Sequence, residues 1–150
     1  MFPKLPLEQQ IALNEAYYKA FPEVKSYHNY CYRIANAQPY VTNLWGVRYW
    51  NVNGHNLINM LVQGSSAYYL KMKIIELYDY LKNKKTRMQM NIHDEISYEW
   101  HDDDGVEVML ECQRIQSSWP GALIPFVSDA EVTETTWAEK KEIDLTSYSR

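Results

Sequence analysis

Residues Arg87 to Trp100 read RMQMNIHDEISYEW, with Met88, Met90 and Ile92 at alternate positions before a polar break and Ile96, Tyr98 and Trp100 at alternate positions after it. Alternation with period two marks a strand with one buried face. Two such strands joined by a short polar link must fold back as an antiparallel hairpin, with His93 and Asp94 at the turn. The rest of the chain then has to supply an apolar layer for one face of that hairpin and leave its charged tip outside. Adjacent Asp94 and Glu95 point to opposite sides of an extended chain, so one faces a given site while the other braces it or meets a second ligand. Asp94, at the tip, is the better metal ligand. A turn carboxylate with little bulk around it suits Mg²⁺, a hard ion that keeps several waters and is completed by substrate phosphate oxygens. A polar turn without chemistry is the competing reading, because Asp is common in turns.

Helices are the natural source of the apolar layer. From Leu7 to Ala37, apolar and aromatic residues recur at helical spacing (Ile11, Leu13, Tyr17, Tyr18, Phe21, Val24, Tyr27, Tyr30, Ile34), with Pro22 inside the run. Proline ends or kinks a helix, so two helices are expected to meet near Phe21-Pro22-Glu23. Tyr40 to Trp50 reads as a short hairpin turning at Asn43 to Gly46, and Asn51 to Gly54 as a turn. A third helical region covers about His55 to Asn83, either as one bent helix or as two broken at Gly64-Ser65-Ser66. Its later part has Leu70, Ile74, Leu77, Tyr78 and Leu81 as an expected core stripe. Val106 to Gln116 reads as a helix and Ile124 to Glu131 as a last strand. Helices packed on a small antiparallel sheet that contains the Arg87–Trp100 hairpin define an α+β fold. At 150 residues, 46% of them hydrophobic, the chain is long enough for a real core.

Charge is unevenly placed. Up to Ile92 there are 11 Lys and Arg against 5 Asp and Glu, and from His93 onward 4 against 14. A basic first part can face phosphates while an acidic remainder faces solvent or metal; two solvated faces are the plainer alternative. Cys31 and Cys112 have no partner at metal-ligand spacing, so neither a disulfide framework nor a zinc site is expected. MFPKLPLEQQ lacks a signal-peptide core and no apolar run reaches a membrane span, so the expectation is a soluble, cytoplasmic chain without a membrane partner.

Two further clusters invite chemistry. Asp102-Asp103-Asp104-Gly105 lacks the spacing and terminal Glu of a calcium loop, and reads as a solvated turn capping the next helix. His55, Asn59 and Gln63 fall at successive i, i+4 positions, so three neutral hydrogen-bonding side chains share one helix face. They either hydrogen-bond neighbouring loops or contact the minor groove of a duplex, where N3 and O2 acceptors occur on every base pair.

In this order, the segments resemble the carboxyl-terminal part of family A DNA polymerases, particularly the phage type. Tyr17-Tyr18-Lys19-Ala20-Phe21-Pro22-Glu23-Val24 through Tyr30 is similar to the family's "YF..YP.V..Y" fingers helices. Tyr40-Val41-Thr42 with Gly46-Val47-Arg48 resembles "GYV.T..GRR", and Gln63-Gly64-Ser65-Ser66-Ala67 with Lys71 resembles "QGTAAD..K". Asn91 to Glu95 with Glu99 looks like motif C, "VHDE...E", and Trp137 sits where many members carry a late tryptophan. Pro39, Val47, Tyr68 and Tyr69 depart from the family pattern.

The resemblance implies a partial polymerase palm and fingers, with late fingers over about residues 1–54 and palm over about 55–150. It makes Asp94 the palm aspartate of a two-Mg²⁺ site, with Glu95 as the supporting carboxylate and His93 near the primer terminus. Gln63, Asn59 and His55 would contact the minor groove, and Arg48 the nucleic-acid backbone. Primer-template DNA and a dNTP are the implied partners, and the host cytoplasm is the compartment if the chain is phage-encoded. Motif A, with the second metal-binding aspartate, and motif B, with the nucleotide-gripping lysine, are not found in the sequence. The expectation is therefore a C-terminal fragment or subunit that needs an upstream polymerase chain carrying motifs A and B. A noncatalytic DNA-binding or assembly module on a palm scaffold is the alternative.

Overall fold

The computed structural model describes residues 5–148, which fall into two compact units meeting in sequence at Ser66 and Ala67. The first holds α1 (Leu7–Ala20), α2 (Pro22–Ala37), a hairpin of β1 (Tyr40–Thr42) and β2 (Arg48–Trp50), and the start of α3 (Gly54–Leu81). The second takes the remainder of α3 and the hairpin of β3 (Arg87–Ile92) and β4 (Glu95–Glu99). It continues with α4 (Gly105–Ser117) and a hairpin of β5 (Ala130–Val132) and β6 (Lys141–Ile143). Each hairpin is a separate two-stranded antiparallel sheet. The fold is α+β, helices with small antiparallel sheets.

In the first unit, Pro22 opens α2 as its first residue, where the missing N–H is not needed. Phe21 closes α1 by donating its backbone N–H to the Tyr17 carbonyl at 2.9 Å. The register Tyr40↔Trp50, Val41↔Tyr49 and Thr42↔Arg48 places the β1–β2 turn where the sequence predicts it. Asn43, buried in that turn, accepts from the backbone N–H groups of Trp45 and Val47 at 3.0 Å each. Cys31, Ile34 and Leu57 form the core, with Tyr27, Val41 and Leu61 packed around it.

Of the two readings left open at Gly64-Ser65-Ser66 the structure has the single helix: α3 runs unbroken over 28 residues. Both serine hydroxyls donate back to carbonyls four residues earlier, Ser65 to Leu61 at 2.5 Å and Ser66 to Val62 at 3.2 Å, so neither needs an acceptor outside the helix. Two of its glycines are there for space. A Cβ on Gly64 would run into the Tyr49 hydroxyl, and one on Gly54 into the Cα and ring of Tyr32. A hydroxyl at the end of a side chain can shift, whereas the Tyr32 backbone lies within α2 and cannot. Gly54→Ala is therefore expected to cost about 1–3 kcal/mol by overpacking, and more than Gly64→Ala. Urea unfolding of both variants checks the order, and equal midpoints would refute it.

The second unit buries Leu77, Leu81, Ile96, Val108, Cys112 and Ile115, with Leu70 and Ile74 partly buried against them. Tyr78 does not belong to this stripe; it is 65% exposed, because one helical step from Leu77 turns it out of the core. Burial pushes the Cys112 thiol up to about 12, which keeps it neutral and inert. Tyr69, one of the departures from the family pattern, is buried. Its hydroxyl donates to the Gln116 carbonyl and its ring stacks on Trp119 at 4.7 Å.

The last strand predicted over Ile124 to Glu131 is corrected. Residues 118–129 form neither helix nor strand, and Leu123, Ile124 and Val127 are exposed. Pro120 and Pro125 deny that segment the donors a central strand needs. Strand β5 begins only at Ala130, and its partner β6, whose apolar signal is a single Ile143, is not apparent from the sequence.

Candidate functional site

The β3–β4 hairpin of the second unit carries the acidic cluster. Strand β3 ends at Ile92 and β4 begins at Glu95, so His93 and Asp94 form a two-residue link, as predicted. His93 takes φ +55°, the left-handed conformation that lets a tight turn follow the twist of its strands. Asn91 holds the link closed: its Nδ2 donates to the carbonyls of Glu95 at 3.0 Å and His93 at 3.3 Å. Turn composition alone does not single out Asn91, because the bond crosses the hairpin.

The alternation of Met88, Met90 and Ile92 does not survive as one face. Met88 pairs with Tyr98 but Met90 pairs with Ser97, so Gln89 is an extra residue in a β-bulge. Asn91 then stands opposite the buried Ile96, while Met90 and Ile92 turn to the other side and are 46% and 41% exposed. The hairpin thus has a core face and, near its tip, a second apolar face left uncovered.

The two carboxylates sit in different surroundings. Asp94 is exposed at the tip, and its side chain has no hydrogen bond or ion pair among the described residues. Glu95 is half-buried, and its Oε1 lies 2.9 Å from the Lys140 ammonium, which also meets Glu131 Oε2 at 2.7 Å and rests 4.4 Å from the Trp137 ring centroid. The two carboxylates beside it hold the Lys140 pKa above the ordinary lysine value, Glu131 having the larger effect. Sequence reasoning misses Lys140 because 45 residues separate it from Glu95. Among the described residues no group of three or more His, Cys, Asp or Glu can enclose a metal. The exposed Asp94 carboxylate does fit a hydrated Mg²⁺ with few protein ligands.

The Asp102–Asp104 run is a 3-10 turn whose carboxylates bind protein groups. Asp103 pairs with Lys85, and Asp104 accepts from the Thr86 backbone N–H at 2.6 Å. Asp104 makes no side-chain cap to α4, so the expected capping role is replaced by a clamp on the start of β3.

The neutral-donor face lies in the first unit. His55, Asn59 and Gln63 are all exposed on α3, and Asn59 Nδ2 donates to Gln63 Oε1 at 3.3 Å. His55 and Asn59 line an open cavity of about 700 Å³ with Lys25, His28, Asn29 and Tyr32 of α2. Tyr18 of α1 borders it too, its hydroxyl 3.0 Å from His28 Nδ1. Arg48 is exposed on β2 with its guanidinium 4.8 Å from the Tyr40 ring centroid. The α2 residues at this cavity escape a sequence reading because α2 and α3 are brought together only by folding. No helix is long and apolar enough to cross a membrane among the described residues.

Comparison with known proteins points one way. The chain is 26% identical over 144 residues to DNA polymerase DpoZ of Salmonella phage PMBT28, covering 91% of this chain and 23% of the relative. It is 28% identical over 123 residues to DNA polymerase I of Helicobacter pylori J99, covering 74% of this chain and 14% of the relative. The chain therefore spans less than a quarter of the length of these relatives. Among solved structures, the POL domain of Pol1 from M. smegmatis, in complex with DNA primer-template and dNTP, shares the fold. Its TM-score is 0.70 at 19% identity, over 82% of this chain and 24% of that one. The family model of DNA polymerase family A matches residues 4–139, and the chain belongs to that family.

Proposed function

We propose that this chain supplies the motif C half of a template-directed DNA polymerase, with the second carboxylate set contributed by an upstream polymerase segment. One observation carries the reading: a two-residue link holds a single unpartnered carboxylate, Asp94, at the tip of a hairpin in a chain of this family. In that role Asp94 ligates Mg²⁺ and Glu95 supports it from the other side of the strand. A Mg²⁺ held by Asp94 together with the upstream carboxylates would supply Lewis-acid activation of a primer 3′-hydroxyl and charge neutralisation for a departing pyrophosphate.

The other groups act on the nucleic acid. His55, Asn59 and Gln63 donate to minor-groove acceptors, which follow duplex shape and carry little sequence information. Arg48, its guanidinium over the Tyr40 ring, meets the backbone, and His93 lies next to the primer terminus. The partners are primer-template DNA and a dNTP.

Primer extension by the purified chain, with and without a segment bearing motifs A and B, tests the division of labour. No extension by the chain alone and extension on mixing is the expected outcome; Mg²⁺-dependent extension by the chain alone that Asp94→Ala abolishes would refute it. The noncatalytic DNA-binding alternative gives salt-sensitive primer-template binding and no extension in either arm.

A further inference from the structure

Lys25, His28, Asn29 and Tyr32 fall at positions i, i+3, i+4 and i+7 of α2, so one face of that helix lines the cavity it shares with His55 and Asn59 of α3. Gly54 sets the two helices close: with no Cβ, it lets the first turn of α3 rest against Tyr32. His28 leans on α1, its Nδ1 3.0 Å from the Tyr18 hydroxyl, and the Lys25 ammonium lies 5.9 Å from the ring centroid of the same tyrosine. No carboxylate lines this cavity, and the chain from Val24 to Ile75 holds no Asp or Glu at all. Lys25 is exposed and has no carboxylate partner among the described residues. An open hollow edged by an uncompensated ammonium concentrates positive potential and attracts phosphate.

The minor groove of a duplex is about 6 Å wide and bordered by phosphates, so a protein that reaches its floor meets a phosphate at its lip. With Asn59 on the floor, the facing α2 wall stands at the lip. We propose that this α2 face is a phosphate clamp for one strand of a duplex whose minor groove lies on α3. Lys25 pairs with a phosphodiester, and Asn29 and Tyr32 donate to the phosphate and sugar oxygens beside it. The inference rests on the minor-groove reading of His55, Asn59 and Gln63 and deepens it by naming what holds the strand in register.

Fluorescence anisotropy of a labelled primer-template with the full chain, repeated over a range of salt, tests the clamp without polymerase activity. Lys25→Met is expected to weaken binding about fivefold and to lower the slope of log affinity against log salt by about 0.9, the share of one phosphate contact. The loss should be the same for duplexes of different sequence, and Lys25→Arg should restore both values. Arg33→Met removes an exposed cation from the same helix outside the cavity and should change neither. Asn29→Ala, which removes a neutral donor, should weaken binding with the slope unchanged. Circular dichroism establishes that the variants fold, and the Asn29→Ala arm remains decisive if Lys25→Met does not.

Wild-type affinity and slope in Lys25→Met, or equal losses in Lys25→Met and Arg33→Met, would overturn the clamp; a loss in Asn59→Ala would then leave the minor-groove reading standing. A Lys25-dependent affinity for a dNTP without DNA, with the duplex slope unchanged, would give the cavity to a free nucleotide and overturn the clamp as well. A folded wild-type chain with no affinity for duplex at low salt would overturn both readings.

Discussion

Asp94→Asn is expected to lower primer extension by a polymerase reconstituted from this chain and its upstream segment by on the order of 10⁴-fold, with primer-template affinity unchanged. The size follows from what the substitution removes. A two-metal displacement needs carboxylates from two places, and the hairpin offers one unpartnered carboxylate at its tip. The amide keeps the shape and loses the charge. Structure should not suffer, because Asp94 is exposed and forms no side-chain bond, which places the expected stability change within about 0.5 kcal/mol. Glu95→Gln, by contrast, weakens one contact to a lysine that retains Glu131, and its expected loss of rate is less than about fivefold. Single-turnover extension and DNA affinity measured on the same two variants separate chemistry from binding. Comparable losses for both substitutions, or a loss in affinity alone, would contradict the assignment.

The sequence makes some parts of this site legible and hides others, for physical reasons. The hairpin link is legible because a polar break between two period-two runs has few solutions, and His93-Asp94 is the shortest of them. The donors His55, Asn59 and Gln63 are legible because helical periodicity fixes which residues share a face, whatever the tertiary structure. The bulge at Gln89 is not legible. Strict alternation from Met88 to Ile92 argues for an unbroken strand, and the extra residue shows only in the pairing with β4, where Ser97 faces Met90. Lys140 is hidden for a related reason. It lies between two short strands whose pairing depends on backbone hydrogen bonds more than on apolar pattern, so neither its position nor its partners leave a local trace. At Gly64-Ser65-Ser66 local composition leaves one helix and two equally open. Within α3 both serine hydroxyls find acceptors on the helix itself, and the Tyr49 hydroxyl takes the space a side chain at Gly64 would fill.

The misplaced face of β3 leads to the second large effect. Met90 and Ile92 are exposed beside the tip, and among the described residues β3 pairs with β4 alone, so its other edge has no strand beside it. Isolated two-stranded hairpins are marginal, and an open edge next to apolar side chains seeks a partner strand. Under the proposed function that partner is the motif A strand of the upstream segment. It would cover both side chains as it brings the second carboxylate to Asp94. Each side chain is already partly covered, so its remaining burial is worth about 1–1.5 kcal/mol. The pair together should therefore set about 30- to 150-fold in association. Met90→Lys combined with Ile92→Lys is expected to weaken binding to the upstream segment by at least that factor, because the ammonium groups would also have to be desolvated. The thermal midpoint of the isolated chain should hardly move, since neither side chain belongs to the core of Leu77, Leu81, Ile96, Val108, Cys112 and Ile115. Sedimentation velocity supplies an internal check. The wild-type chain should self-associate through this face and the double variant should not. Unchanged affinity for the upstream segment, with the variant folded, would mean that the uncovered face near Asp94 is not where the two halves of the polymerase meet.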